Sequence, residues 1–137
     1  MAAKWRRINV DIPPDLKPSE REALGDAIID FIVERTVSGQ NKRNRDFPNY
    51  TAEYADRKGV GVGDVDLVDS FDMLADIELL SHRRGKLLIG FENGTLSNAK
   101  ADGNITGSYG RSPNKRKARD FLGIFKKDVK QLAKDLF

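Results

Sequence analysis

The residue types that could do chemistry are few in this chain. It has one histidine and no cysteine. A thiolate zinc site, a disulfide framework and a multi-histidine metal site are therefore all excluded. His82 has Ser81 beside it, but no Gly-x-Ser-x-Gly elbow accompanies them. A small hydrolase built around His82 would need partners that the sequence does not supply, and the simpler expectation is an exposed polar turn residue. Gly59, Gly61 and Gly63 alternate with valines. They lack the following Gly-Lys-Ser/Thr and a leading strand, so a flexible joint is expected rather than a phosphate loop. Asp64, Asp66, Asp69, Asp72 and Asp76 form an acidic run without the spacing of a calcium loop. They suit the wet side of a short helix. No catalytic residue, metal or cofactor is expected.

Charge carries more information. There are 24 Lys+Arg against 21 Asp+Glu, a net of +3 at neutral pH. The distribution is uneven. Lys42, Arg43 and Arg45 form one basic cluster, and Arg111, Lys115, Arg116, Lys117 and Arg119 form a denser one. Such clusters suit contact with the acidic run of a neighbouring subunit, or with nucleic acid. No recognition helix carries them and no aromatic residues interleave them, so a DNA contact would be to backbone and without sequence preference. Trp5 lies among Lys4, Arg6 and Arg7 and could stack on a base. Packing on a sheet with its polar edge wet is the expectation.

These residues need elements to position them. Ile8, Val10 and Ile12 alternate and predict a strand ended by Pro13-Pro14. Ser19 and Glu22 have capping-box spacing, and Leu24, Ile28, Phe31 and Ile32 recur at helical spacing up to Ser38-Gly39. Leu67, Phe71 and Leu74 predict a short helix. Ile77 and Leu79, a turn at Arg83-Arg84-Gly85, and Leu88 and Ile89 predict a β-hairpin. Val129, Leu132, Ala133 and Leu136 predict a last amphipathic helix, reached through a short edge strand or structured connection at 119–124. Residues 39–66 and 92–118 read as two long polar loops, unusual inside a compact domain unless functional.

The expected fold is therefore α+β, one domain over residues 1–137, with two amphipathic helices packed on a small, mainly antiparallel sheet. Leu24, Ile28, Phe31 and Ile32 should meet Ile77, Leu79, Leu88 and Ile89. No apolar run reaches the ~20 residues of a membrane helix. The basic start of the chain lacks the apolar stretch of a signal peptide.

The order of short motifs resembles a known family. Phe47-Pro48-Asn49-Tyr50, Tyr54 and Lys58-Gly59 are followed by Val65-Asp66-Leu67, Ser70-Phe71-Asp72-Met73-Leu74 and Leu88-Ile89-Gly90-Phe91. Then come Lys100-Ala101, Asn104, Gly107 and Arg119-Asp120-Phe121-Leu122-Gly123. This is similar to phage virion morphogenesis proteins, the Mu-type tail-completion and neck group, over roughly residues 15–137. Ser70-Phe71 stands where that family commonly has Thr-Gly, and Asp120 where it commonly has Pro. The resemblance implies a non-enzymatic virion protein at the head–tail junction, assembled as a ring, usually a hexamer, through which DNA passes. Its implied partners are further copies of itself, the head-side connector, and tail terminator or tail tube proteins. Its implied location is the virion neck or tail end, with the host cytoplasm as the place of assembly. The competing reading is a nucleic-acid-binding module that uses the basic loops.

Overall fold

The computed structural model describes residues 3–47, 71–107 and 118–137. The elements in chain order are β1 (Arg7–Asp11), α1 (Pro18–Val37), α2 (Phe71–Ala75), β2 (Glu78–Arg83), β3 (Lys86–Gly90), α3 (Leu96–Thr106) and α4 (Lys126–Leu136). The three strands form one antiparallel sheet in the order β1-β3-β2, so the architecture is α+β as expected.

β2 and β3 are a hairpin whose turn residue Gly85 has φ +78°, a left-handed conformation natural to glycine. β1 pairs with β3 in a register that sets Ile8 opposite Ile89 and Val10 opposite Leu87. Cross-strand partners share a face, so these four side chains lie on one side of the sheet. The opposite face carries the exposed Arg7, Asn9 and Asp11. Gly90 sits opposite Arg7, where an added Cβ would come within 2.6 Å of the Arg7 Cα. Glycine is therefore required for β1 and β3 to close up at this end of the ladder.

α1 lies across the apolar face. Leu24, Ile28 and Ile32 are fully buried in a core that includes Leu87, Ile89, Phe91 and Phe121. Closest approach is at Gly25, where a Cβ would meet the Leu79 side chain at 2.9 Å. Two expected core members differ. Phe31 stands one position off the 24-28-32 line and is only half-buried, its ring 5.6 Å from the Arg35 guanidinium. Leu88 is half-buried on the other face, because a strand cannot direct both Leu88 and Ile89 into the core. The core position is Leu87.

The start of α1 is also different from the expected Ser19–Glu22 box. Pro18 opens the helix, where its missing N–H costs nothing. Glu20 accepts a hydrogen bond from the Lys17 backbone N–H at 2.9 Å. Glu22 is thereby left to face β2.

The stretch 92–118 is not one loop. Residues 96–106 form α3, with Thr95 accepting from the Asn98 backbone N–H at 3.2 Å as its N-cap and Gly107 closing it at φ +72°. Its Asn and Gly content is poor for a helix, and tertiary bonds hold it. The Asn98 side chain accepts from Arg6 N–H at 2.7 Å and donates to the Lys4 carbonyl at 3.1 Å, and Asp102 pairs with Arg6 at 2.8 Å. Ala101 is fully buried.

A test of this core follows from deleting buried methyl groups. Ile28→Ala should lower unfolding free energy by about 2–5 kcal/mol, read by urea denaturation. Phe31→Ala should cost less than Ile28→Ala. A larger loss at Phe31 would contradict the packing.

Candidate functional site: an edge-strand groove with a basic rim

The expected loop 39–66 is described up to residue 47, and that part is closed and packed. Gln40 and Asp46 form an antiparallel bridge, and the Phe47 N–H donates to the Gly39 carbonyl at 2.9 Å. Asn44 takes φ +57°, a conformation asparagine tolerates, and its side chain donates to Asp128 at 3.0 Å. Phe47 is 3% exposed and anchors the far end.

Arg35, near the end of α1, fixes this loop to the connection before α4. It is 5% exposed. One terminal nitrogen donates to the carbonyls of Phe121 at 2.7 Å and Gly123 at 2.6 Å, and the other reaches the Lys42 carbonyl at 3.5 Å. Its Nε has no hydrogen-bond partner. Burial draws its pKa down to about 10, opposed by the nearby Asp128 and Asp120. It therefore stays protonated at neutral pH. The Lys42 N–H donates to the Asp120 carbonyl at 2.9 Å, and the Lys42 ammonium pairs with the Asp120 carboxylate at 2.9 Å. Gly123 is tight against the Lys42 stem, 2.8 Å from a notional Cβ. Residues 119–124 are thus a structured connection and not an edge strand.

Between this connection and β1 runs a groove of about 370 Å³. β1 contributes Ile8 and Val10, and the facing wall contributes Leu122, Ile124 and Val129. Lys42, Arg43 and Lys126 stand around it. Asp11 also borders it, but its carboxylate is held by Lys86 at 2.8 Å, which pushes its pKa down, with a smaller contribution from Lys126.

The structure separates the residues expected to form interaction sites. Lys42 and Arg43 line the groove, and Arg45 is exposed beside them. Arg119 does not belong to an exposed basic patch. It is 4% exposed, and its N–H bonds to the Asn104 carbonyl at the end of α3. Arg111, Lys115, Arg116 and Lys117 lie outside the described residues, as do Asp64, Asp66, Asp69 and the glycines 59, 61 and 63. Asp72 and Asp76 are exposed. Asp76 accepts a hydrogen bond from Ser97 and lies with Glu78 and Glu92 at the start of α3. Among the described residues no group of three or more potential ligands could hold a metal ion. No helix among them is long and apolar enough to cross a membrane.

His82 is in β2 and not in the turn. A bulge between Leu79 and Ser81 shifts the register by one residue and pairs His82 with Leu87, on the helix-covered face. There Nδ1 accepts from Arg21 at 3.1 Å and Nε2 stands 3.4 Å from Glu22. Both ring nitrogens are engaged by α1. Trp5 packs against the sheet end as expected, but its indole N–H is not wet. It donates to the Phe91 carbonyl, and the Arg7 guanidinium covers the ring at 3.8 Å. Sequence reasoning missed Arg35 and the open edge of β1. Arg35 sits in the last turn of α1, where a cation is ordinarily read as dipole complement. Only the buried carbonyls beside it reveal its role.

Comparison with family models, with curated proteins and with solved structures returned no match.

Two measurements check these assignments. Arg35→Ala leaves buried carbonyls unsatisfied and should destabilise by about 3 kcal/mol; a neutral effect would show that it clamps nothing. At the start of α3, burial raises the pKa of Glu78, and the like charges of Glu92 and Asp76 raise it further. A raised carboxylate pKa means the folded chain binds more protons in that window, so stability falls as pH rises through it. Glu78→Gln should therefore stabilise at neutral pH, by less than about 0.5 kcal/mol because solvent screens the group. The gain should vanish below the ordinary glutamate range, as pH-dependent melting would show.

Proposed function

We propose that this chain is a non-enzymatic structural subunit of a tailed-phage particle, working at the neck or tail end. In this reading copies of the chain form a ring that joins the head-side connector to the tail terminator or tail tube, with DNA passing through the centre. Assembly takes place in the host cytoplasm.

The observation that carries the reading is where the family-like residues fall. Ile89, Phe91, Ala101, Phe121 and Leu122 are core residues, and Arg119 is buried at the joint between α3 and the last connection. The shared pattern is therefore one of packing and not of a reactive group. Such a pattern suits a protein whose work is to hold a shape between neighbours. The closed loop at 39–47 and the groove beside it supply a rigid surface with an apolar floor and a charged rim, the composition expected of a subunit contact. The competing nucleic-acid reading draws less support. Arg119 is buried, Lys42 is paired with Asp120, and the groove is apolar where a phosphate track would be cationic.

Phage particles made without this chain should accumulate as unjoined heads and tails, and supplying the purified chain should restore joined particles. Electron microscopy reads both outcomes. Intact infectious particles in its absence would refute the reading.

A further inference from the structure

His82 is the chain's one histidine, and histidine is the side chain that ordinarily changes charge between about pH 5 and 8. β2 presents it to the first turns of α1, where each ring nitrogen meets a different partner. Nδ1 accepts from the Arg21 Nε–H at 3.1 Å, and Nε2 stands 3.4 Å from the Glu22 carboxylate. A guanidinium has donors and no acceptor. Nδ1 can therefore take this bond only while it carries no proton, and the single proton of the neutral ring belongs on Nε2, toward Glu22.

Protonation changes one side of this arrangement and not the other. The added proton goes to Nδ1, where an N–H would then point at the Arg21 N–H across 3.1 Å, cation against cation. That contact must open. On the far side the ring remains a donor and gains a charge opposite Glu22, which strengthens that contact. The other described charges nearby do not reverse this. Asp26, one turn on from Glu22 in α1, is exposed, and so is Arg83, next in β2. Lys86, the partner of Arg83 in β3, is held by Asp11 at 2.8 Å. The cross-strand partner of His82 itself is the apolar Leu87.

Arg21 is also a bridge. A terminal nitrogen donates to the Leu16 carbonyl at 3.1 Å, so its guanidinium ties the segment before α1 to β2. The same segment is tied to the hairpin turn further back, by the Ile12 N–H to the Gly85 carbonyl at 3.1 Å and by Arg84 to the Pro14 carbonyl at 3.2 Å. Releasing Arg21 therefore loosens the end that leads into the helix.

We propose that His82 is a proton-operated latch between β2 and the start of α1. Neutral, it holds Arg21 and through it Leu16. Protonated, it releases Arg21 and holds Glu22, a local charge change that moves one tether. α1 stays on the sheet in both states, because Leu24, Ile28 and Ile32 are buried in the core. The latch is a property of the fold and does not rest on the virion reading.

The test is NMR on the isotopically labelled full chain. At about pH 8, above the ordinary histidine range, the ring nitrogen shifts should report the Nε2–H tautomer. As the ring titrates, the Arg21 Nε–H signal should shift in step with it. Its exchange with water, relative to the Arg6 Nε–H that Asp102 holds at 2.8 Å, should rise about ten-fold, the protection lost with one hydrogen bond of a charged group. Backbone amides of Leu16 and Lys17 should follow the same midpoint while those of Ile28 and Ile89 stay unchanged. His82→Gln keeps an acceptor for Arg21 and cannot titrate, so the step at Arg21 should vanish. An Nδ1–H tautomer in the neutral ring, an Arg21 signal indifferent to the ring, or a step that persists in His82→Gln would each overturn the latch. If His82→Gln does not fold, the tautomer and the titration of the unaltered chain decide by themselves.

Discussion

One guanidinium ties together three parts of this protein beside the groove, with the Lys42–Asp120 and Asn44–Asp128 contacts alongside it. Arg35 is on α1, the Phe121 and Gly123 carbonyls it binds precede α4, and the Lys42 carbonyl belongs to the closed loop. Neither the loop nor the connection has a strand or helix to satisfy its backbone there. Buried carbonyls without donors are costly, and a single charged fork that supplies several donors removes that cost. The opposing cost is the desolvation of Arg35 itself, visible in its lowered pKa and partly offset by Asp128 and Asp120. The wall of the groove, from Leu122 to Ile124, stands where it does because of this clamp.

The second constraint is that the sheet is small and, among the described residues, covered on one face only. With α1 over β2 and β3, and Phe121, Leu122 and Val129 completing the cover, the apolar face is spent. What remains open among the described residues is the side of β1, where Arg7, Asp11 and the Pro13-Pro14 stop are ordinary protections of an edge. The apolar trough beside it is not an ordinary protection. An uncovered apolar trough is a surface incomplete by itself.

The charges divide into two populations. Lys42–Asp120, Lys86–Asp11 and Arg6–Asp102 are intramolecular pairs that orient loops and strand ends. The Lys42 and Lys86 pairs are exposed and contribute little stability, whereas Arg6–Asp102 is half-buried. Arg43 and Arg45 are exposed and take no part in these pairs. A net charge near balance hides this division, and a basic cluster read from sequence merges both.

Much of the frame was determined by sequence alone. The alternation of Ile8, Val10 and Ile12, the 24-28-32 stripe, the hairpin around Gly85 and the final helix all follow from periods that the backbone imposes locally, and each is present. The α+β class follows from them. Tertiary structure decided the rest. Helix α3 depends on Arg6 and Lys4, more than ninety residues away, so no local propensity could announce it. The bulge in β2 turned His82 toward α1, a choice made by pairing with β3. Arg119 and Arg35 look like surface cations in sequence and are buried; for Arg35, what receives the guanidinium is a set of carbonyls brought together only by folding. The open edge of β1 belongs to the same class: whether a strand lies inside a sheet or at its margin depends on what the remainder of the chain does, and no stretch of residues carries that information by itself.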